Sequence, residues 1–237
     1  MVGVSIRSNL AEVHQIIERA LVRSGRASGA VSLIAVSKTK PIEVIEEALL
    51  AGQRAFGENY VQEFVEKAAL APTAEWHFIG SLQSNKADGV VGSCRLIHSL
   101  DRPSLAVKLD ALARKKNVVQ DVLVQVHIGQ ESTKHGALSN DLDALVGQVR
   151  ELKSLRLCGL MAIPPLTEVE STARGYFSEL RQNFERIGQQ LSQEERVIFQ
   201  HLSMGTSSDF EWAVLEGATL VRVGTAIFGR REAKLPV

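Results

Sequence analysis

Ser32-Leu33-Ile34-Ala35-Val36-Ser37-Lys38 is an apolar run of strand length that ends on an amine, and Pro41 opens the helical pattern behind it. The same grammar returns along the chain. Strand-length apolar runs follow at Arg54–Gly57, Trp76–Gly80, Arg95–Ser99, Val122–Ile128, Leu155–Ile163, Val197–Ser203 and Leu220–Thr225. Between them lie stretches at helical spacing, such as Ile42/Ile45/Leu49, Leu142/Leu145/Val149/Leu152 and Tyr176/Leu180/Phe184/Ile187/Leu191. A further helix, with Ile6, Leu10, Val13, Ile17, Ala20 and Leu21 on one face, precedes the first strand and stops near Ser24-Gly25. The runs are near-continuous in apolar residues, the mark of a parallel sheet covered on both faces. Eight β-then-α units in 237 residues predict a (β/α)8 barrel of TIM type with an extra amino-terminal helix. A doubly wound open sheet fits less well, because it usually needs fewer units. With no Pro/Gly/Ser-rich linker, low-complexity segment or internal repeat, residues 1–237 read as a single domain.

Composition narrows the function. Lys plus Arg and Asp plus Glu both total 27, so no net field favours nucleic acid or membrane. The densest basic run, Arg114-Lys115-Lys116, closes a predicted helix, where cations complement the dipole. Cys94 and Cys158 read as reduced core residues, without disulfide or zinc spacing. His77, His98, His127 and His201 lie in or beside different strands with no local ligand spacing, so no metal is expected. No apolar leader or bilayer-length stretch is present, and the expectation is a soluble cytoplasmic protein. A monomer is expected, since no apolar extension is evident.

In such barrels the loops after the strands build the site. Lys38 follows strand one. A strand-end amine beside a second cation, Lys40, is one whose pKa burial depresses, and imine formation requires the neutral amine. Strand parity leaves Lys40 as a competing nucleophile. Glu58-Asn59-Tyr60 follow strand two, where Asn59 reads either as part of a helix start or as a partner for a cofactor hydroxyl. Ser203-Met204-Gly205-Thr206-Ser207-Ser208 is a small-residue turn, and Ser208 with Glu211 has the spacing of a helix capping box. A helix start presents free N–H groups to a phosphate, and Gly224-Thr225 let backbone amides approach the same anion. Arg222 inside strand eight reads either as a barrel-end Arg paired with a carboxylate or as a guanidinium set against a pyridine nitrogen. Lys86 and Lys134 read as solvated side chains. A covalent amine at one end and a phosphate cradle at the other suggest pyridoxal 5'-phosphate (PLP).

Several motifs then resemble one family. They are Val36-Ser37-Lys38-Thr39-Lys40-Pro41, Phe56-Gly57-Glu58-Asn59-Tyr60-Val61-Gln62-Glu63 and Trp76-His77-Phe78-Ile79-Gly80. Gly159-Leu160-Met161-Ala162-Ile163-Pro164, Leu202-Ser203-Met204-Gly205 and Val221-Arg222-Val223-Gly224-Thr225-Ala226-Ile227-Phe228-Gly229 join them. Together they resemble the PLP homeostasis (YggS-like) proteins over essentially the whole chain. The resemblance implies a barrel like the amino-terminal domain of alanine racemase, with PLP held as an aldimine on Lys38. It implies phosphate contacts from Ser203, Ser207, Gly224 and Thr225, with Asn59 and Arg222 lining the cofactor. Two positions depart from the family pattern: His127 stands where Asn is usual, and Thr206 where Met is usual.

The implied function is non-catalytic: intracellular vitamin B6 homeostasis, with indirect effects on amino- and keto-acid metabolism. The expected partners are PLP, other B6 vitamers and, transiently, PLP-dependent apoenzymes. The rival reading is a PLP-dependent amino-acid racemase. Racemisation needs acid–base groups on both faces of the substrate carbon. The racemases of this barrel type take the second from a tyrosine of a partner's added domain. Here strand eight is followed only by the residues up to Val237, and the tyrosines are Tyr60 and Tyr176. A third reading, a cofactor-free Schiff-base aldolase, would require a sugar-phosphate substrate for the phosphate loops.

Overall fold

The computed structural model describes residues 5–129 and 136–229. Eight parallel strands close into one barrel in sequence order. They are β1 (Ser32–Val36), β2 (Ala55–Glu58), β3 (Glu75–Phe78), β4 (Leu96–Leu100), β5 (Gln120–Gln125), β6 (Leu155–Met161), β7 (His201–Ser203) and β8 (Leu220–Val223). The helices are α1 (Ile6–Arg23), α2 (Ile42–Leu50), α3 (Val61–Leu70), α4 (Pro103–Lys115), α5 (Ser139–Glu151), α6 (Glu170–Gln190), α7 (Gln193–Ile198), α8 (Phe210–Leu215) and α9 (Thr225–Phe228). Between β3 and β4 the crossover is a 3-10 turn, Ser84–Gly89. Lys134 lies outside the described residues.

The amino-terminal helix forms where the pattern predicts it. Ser5 caps it by accepting from the Ser8 N–H at 3.2 Å, and Leu10, Val13, Ile17, Ala20 and Leu21 are buried. Several strand ends differ from the sequence expectation. Val197 and Ile198 belong to α7, because Ser192 and Glu195 form a capping box that starts a helix there. β5 ends at Gln125, so His127 lies past the strand, donating its backbone N–H to Ala137. β6 stops at Met161, short of Pro164, which has no N–H for a ladder. Thr225 opens α9 instead of ending β8.

Two apolar layers result from strand alternation. The outer layer, between strands and helices, carries Phe56, Phe64, Phe78 and Phe177, all fully buried. Inside the barrel Ile34, Leu96, Leu123, Cys158, Met161 and Leu220 form a smaller cluster. The rest of the interior is polar: His77, His98, Gln125, Ser203 and Arg222 are buried. Cys94 and Cys158 are both free and buried, and burial pushes each thiol up to about 12.

Cys158 reaches the interior through a register shift. Val122 faces Leu157 while Leu123 already faces Gly159, leaving Cys158 as the extra residue. Gly159 has φ of +150°, and a Cβ there would lie 1.8 Å from the His201 carbonyl oxygen. We expect Gly159→Ala to separate β6 from β7 and cost roughly 3 kcal/mol, read as a lower midpoint in urea unfolding.

Candidate functional site at the carboxyl mouth of the barrel

β1 is hydrogen-bonded to β2 on one side and β8 on the other. Ile34 is opposite Arg222 and Ala35 is opposite Val223, so Val36 comes level with Gly224. A Cβ on Gly224 would lie 3.2 Å from the Val36 carbonyl oxygen. The residue after β1 therefore leaves the barrel beside the residues after β8 and those after β2.

The lysine-bearing turn is gripped from α3. The Lys67 ammonium, buried under the turn, donates to the Ser37 carbonyl at 2.9 Å, to Glu58 at 2.7 Å and to Glu63 at 2.8 Å. Ser37 Oγ donates to the same Glu58 oxygen at 2.7 Å, and the Thr39 N–H donates to Glu63 at 2.7 Å. Lys38 is thus flanked on both sides by clamped backbone. Thr39 is held at φ of +63°, a strained region for a β-branched residue that only a determining environment sustains. Burial pushes the Glu58 carboxyl up, and the hydrogen bond and charge of Lys67 pull it back. Sequence reading missed Lys67. Its helical spacing from Glu63 was visible, but its burial was not.

Lys38 and Lys40 separate here. The Lys40 ammonium donates to the Phe228 carbonyl at 2.8 Å, tying the turn to α9. Lys38 is half-buried in the turn, two residues past the end of β1.

Across the mouth, Ser207 Oγ accepts from the Gly224 N–H at 3.0 Å and from the Ala226 N–H at 3.4 Å. Gly224 and Ser207 are half-buried and Thr225 is exposed. The expected Ser208–Glu211 capping box is not formed. Asp209 turns back to accept from the Thr206 N–H at 2.6 Å and its hydroxyl at 3.1 Å, which delays the helix to Phe210. Glu211 instead pairs with Arg23 on α1.

Ser203 and Arg222 meet inside the barrel. One Arg222 nitrogen donates to Ser203 Oγ at 2.6 Å and the other to the Ala162 carbonyl at 2.9 Å. Among the described residues, Arg222 forms no ion pair with a carboxylate. Burial lowers the Arg222 pKa to about 10, against a smaller opposing pull from Asp209, so the guanidinium stays charged at neutral pH. Ser203 Oγ also bonds His98 Nδ1 at 2.9 Å and is fully buried. The family resemblance implies a phosphate contact from this hydroxyl, which in this structure lies between Arg222 and His98. At the mouth, Asn59 Oδ1 is buried without a hydrogen-bond partner, an acceptor that a ligand hydroxyl could satisfy. Lys86 is exposed.

Residues 11–232 match the model of the alanine racemase amino-terminal domain family. A pyridoxal phosphate homeostasis protein of Aquifex aeolicus is 44% identical over 225 residues, covering 94% of this chain and 97% of that one. The chain belongs to this family. Among solved structures, a protein of unknown function from Bifidobacterium adolescentis superposes with a TM-score of 0.88 at 33% identity, over 94% of each chain. PipY of Synechococcus elongatus with PLP bound superposes with a TM-score of 0.76 at 38% identity, over 90% of this chain and 100% of that one. Both solved structures share the barrel fold with this chain. No helix among the described residues is long and apolar enough to cross a membrane. Among the described residues, no group of three or more His, Cys, Asp or Glu could hold a metal ion.

The clamp yields a prediction with a sign. Lys67→Met leaves Glu58 buried without its cation, and breaking a buried pair this way costs about 3 kcal/mol near neutral pH. A carboxyl with a raised folded pKa favours the fold when protonated, so the deficit should shrink as pH falls through the Glu58 range. The double variant Glu58→Gln/Lys67→Met should recover most of the loss at neutral pH. Denaturant midpoints across pH test both statements.

Proposed function

We propose that this chain is a PLP-binding protein of vitamin B6 homeostasis, one that holds the cofactor on Lys38. The observation that carries this reading is the β1–β8 register, which sets the lysine turn beside Gly224 and the Ser207 turn, above Arg222. When bound, PLP would supply an aldehyde, and the Lys38 amine would be the group that holds it. Lys67, Glu58 and Glu63 hold the turn that carries the amine. The Gly224–Ser207 region, with the exposed Thr225, would receive the phosphate, and Asn59 Oδ1 would accept from the ring hydroxyl. Arg222 would face the pyridine nitrogen. A permanent cation there opposes protonation of that nitrogen, which weakens the ring as an electron sink. Support comes also from relatives named for PLP homeostasis and from PipY with PLP bound.

On this reading the protein is not an enzyme. It is a single-domain monomer of the cytoplasm that keeps PLP and related vitamers available to apoenzymes. Its two tyrosines fit a racemase poorly: Tyr176 lies on α6 in the outer ring, and Tyr60 is 54% exposed at the start of α3.

Purified protein should absorb as a bound Schiff base and, after borohydride, carry the label on Lys38. Lys38→Ala should abolish the adduct and Lys40→Ala should keep it; label on Lys40 would overturn the assignment. Pyridoxal without phosphate should bind about tenfold more weakly or worse, having no anion to accept from the Ser207 hydroxyl and its turn.

Alanine and other amino acids incubated with the loaded protein should exchange α-deuterium slowly and keep their configuration. The reason is that, on this reading, neither tyrosine supplies a second base opposite Lys38. Efficient inversion dependent on Lys38, seen by chiral analysis, would favour the racemase.

A further inference from the structure

The buried polar interior is a single file. Arg222 donates to Ser203 Oγ, which lies 2.9 Å from His98 Nδ1. His98 Nε2 is 2.9 Å from His77 Nδ1, and His77 Nε2 is 3.1 Å from Glu75 Oε1. Ser203 ends β7, whereas Glu75 begins β3, so the file runs the length of the barrel. At its far end is a cavity of about 140 Å³ at the amino-terminal mouth, lined by Glu75, His77, Arg95, Asp121, His201 and Leu220. His98 and Ser203 are fully buried, and His77 is nearly so.

With Glu75 ionised and both rings neutral, one proton arrangement satisfies every bond. Glu75 can only accept, so His77 carries its proton on Nε2 and leaves Nδ1 bare. His98 must then donate from Nε2, which leaves its own Nδ1 bare. Ser203 accordingly donates its hydroxyl proton to His98 and turns a lone pair to Arg222. All four bonds point one way, from guanidinium to carboxylate, and such aligned chains polarise one another. The electrostatics of His98 and Glu75 agree with this order. Burial, above all, holds His98 well below the usual imidazole range, and the bond to His77 holds the Glu75 carboxyl low.

We propose that Ser203, His98, His77 and Glu75 are positioning residues for Arg222, forming a one-way hydrogen-bond chain that fixes its guanidinium from the opposite mouth of the barrel. The proposal rests on the reading of Arg222 as the pyridine partner. It adds that the grip on the cofactor depends on residues a barrel length away, which touch no ligand. The Ser203 hydroxyl has both directions committed within the chain, so its work is to aim Arg222.

The test has two arms. In unliganded protein with isotope-labelled histidine, two-bond proton–nitrogen correlation should show His77 and His98 both as neutral Nε2–H tautomers at neutral pH. Protonation of either Nδ1 would overturn the chain. In the loaded protein, His98→Phe should speed PLP dissociation about tenfold, the scale of losing a hydrogen bond to a charged group, and shift the absorption band. Glu75→Ala, a change at the half-exposed end that leaves the core packed, should move the His77 tautomer and shift the same band in the same direction. His98→Phe that folds, by circular dichroism, yet releases PLP at the unmodified rate would overturn the proposal. So would a Glu75→Ala protein with unchanged tautomers and band. Should the unmodified protein bind no PLP, the cofactor reading fails on its own, and the tautomers still decide whether the chain exists.

Discussion

The pairing of β1 with β8 is the constraint on which everything else hangs. Each of the other strand pairs joins neighbours in sequence, but this one joins the first strand to the last and turns an open sheet into a barrel. Closure removes both sheet edges, so no strand is left with a row of unpaired backbone groups. It also fixes the site. With Ile34 opposite Arg222, the turn after Val36 has no choice but to emerge beside Gly224. Lys40 reinforces the closure from outside by bonding the Phe228 carbonyl, and Asn9 of α1 does the same at Ile227 with a 2.7 Å bond. The amino-terminal helix thus secures the last helix as well as capping the fold.

Two buried polar systems surround the lysine turn, and they differ in purpose. The Lys67–Glu58–Glu63–Ser37 cluster lies between strands and helices, outside the barrel. It holds a backbone conformation, including the strained Thr39, that the sequence alone would not adopt. The file from Arg222 to Glu75 lies inside the barrel. Filling that volume with aliphatic side chains would be cheaper in desolvation. A charged guanidinium kept in the interior makes sense only if its direction matters, and four successive bonds are what give it a direction.

The fold was legible because periodicity is a local property that survives in one dimension. The apolar runs located every strand to within a few residues. The errors fell where a local competitor won: a capping box at Ser192 drew Val197 into a helix, and Thr225 passed from strand to helix start. The site was legible only in outline. Strand-end residues such as Lys38, Asn59 and Gly224 could be placed at one mouth because parallel strands in a barrel share a direction. Side-chain choices were not legible. Asp209 turning back to Thr206 cancelled the capping box that spacing alone made convincing.

The sequence by itself determined the barrel, the mouth at which its polar loops gather, and a lysine followed by a second one two residues on. Those follow from pattern and from the direction of parallel strands. Only the tertiary structure decided which lysine is tied to α9, that Lys67 lies under the turn, and that Ser203 serves Arg222. It alone lined up two histidines from neighbouring strands with Ser203 on β7 and Glu75 on β3. Such partners are brought together by strand register and barrel stagger, which set distances across the interior to a fraction of an ångström and leave no trace in the spacing of residues along the chain.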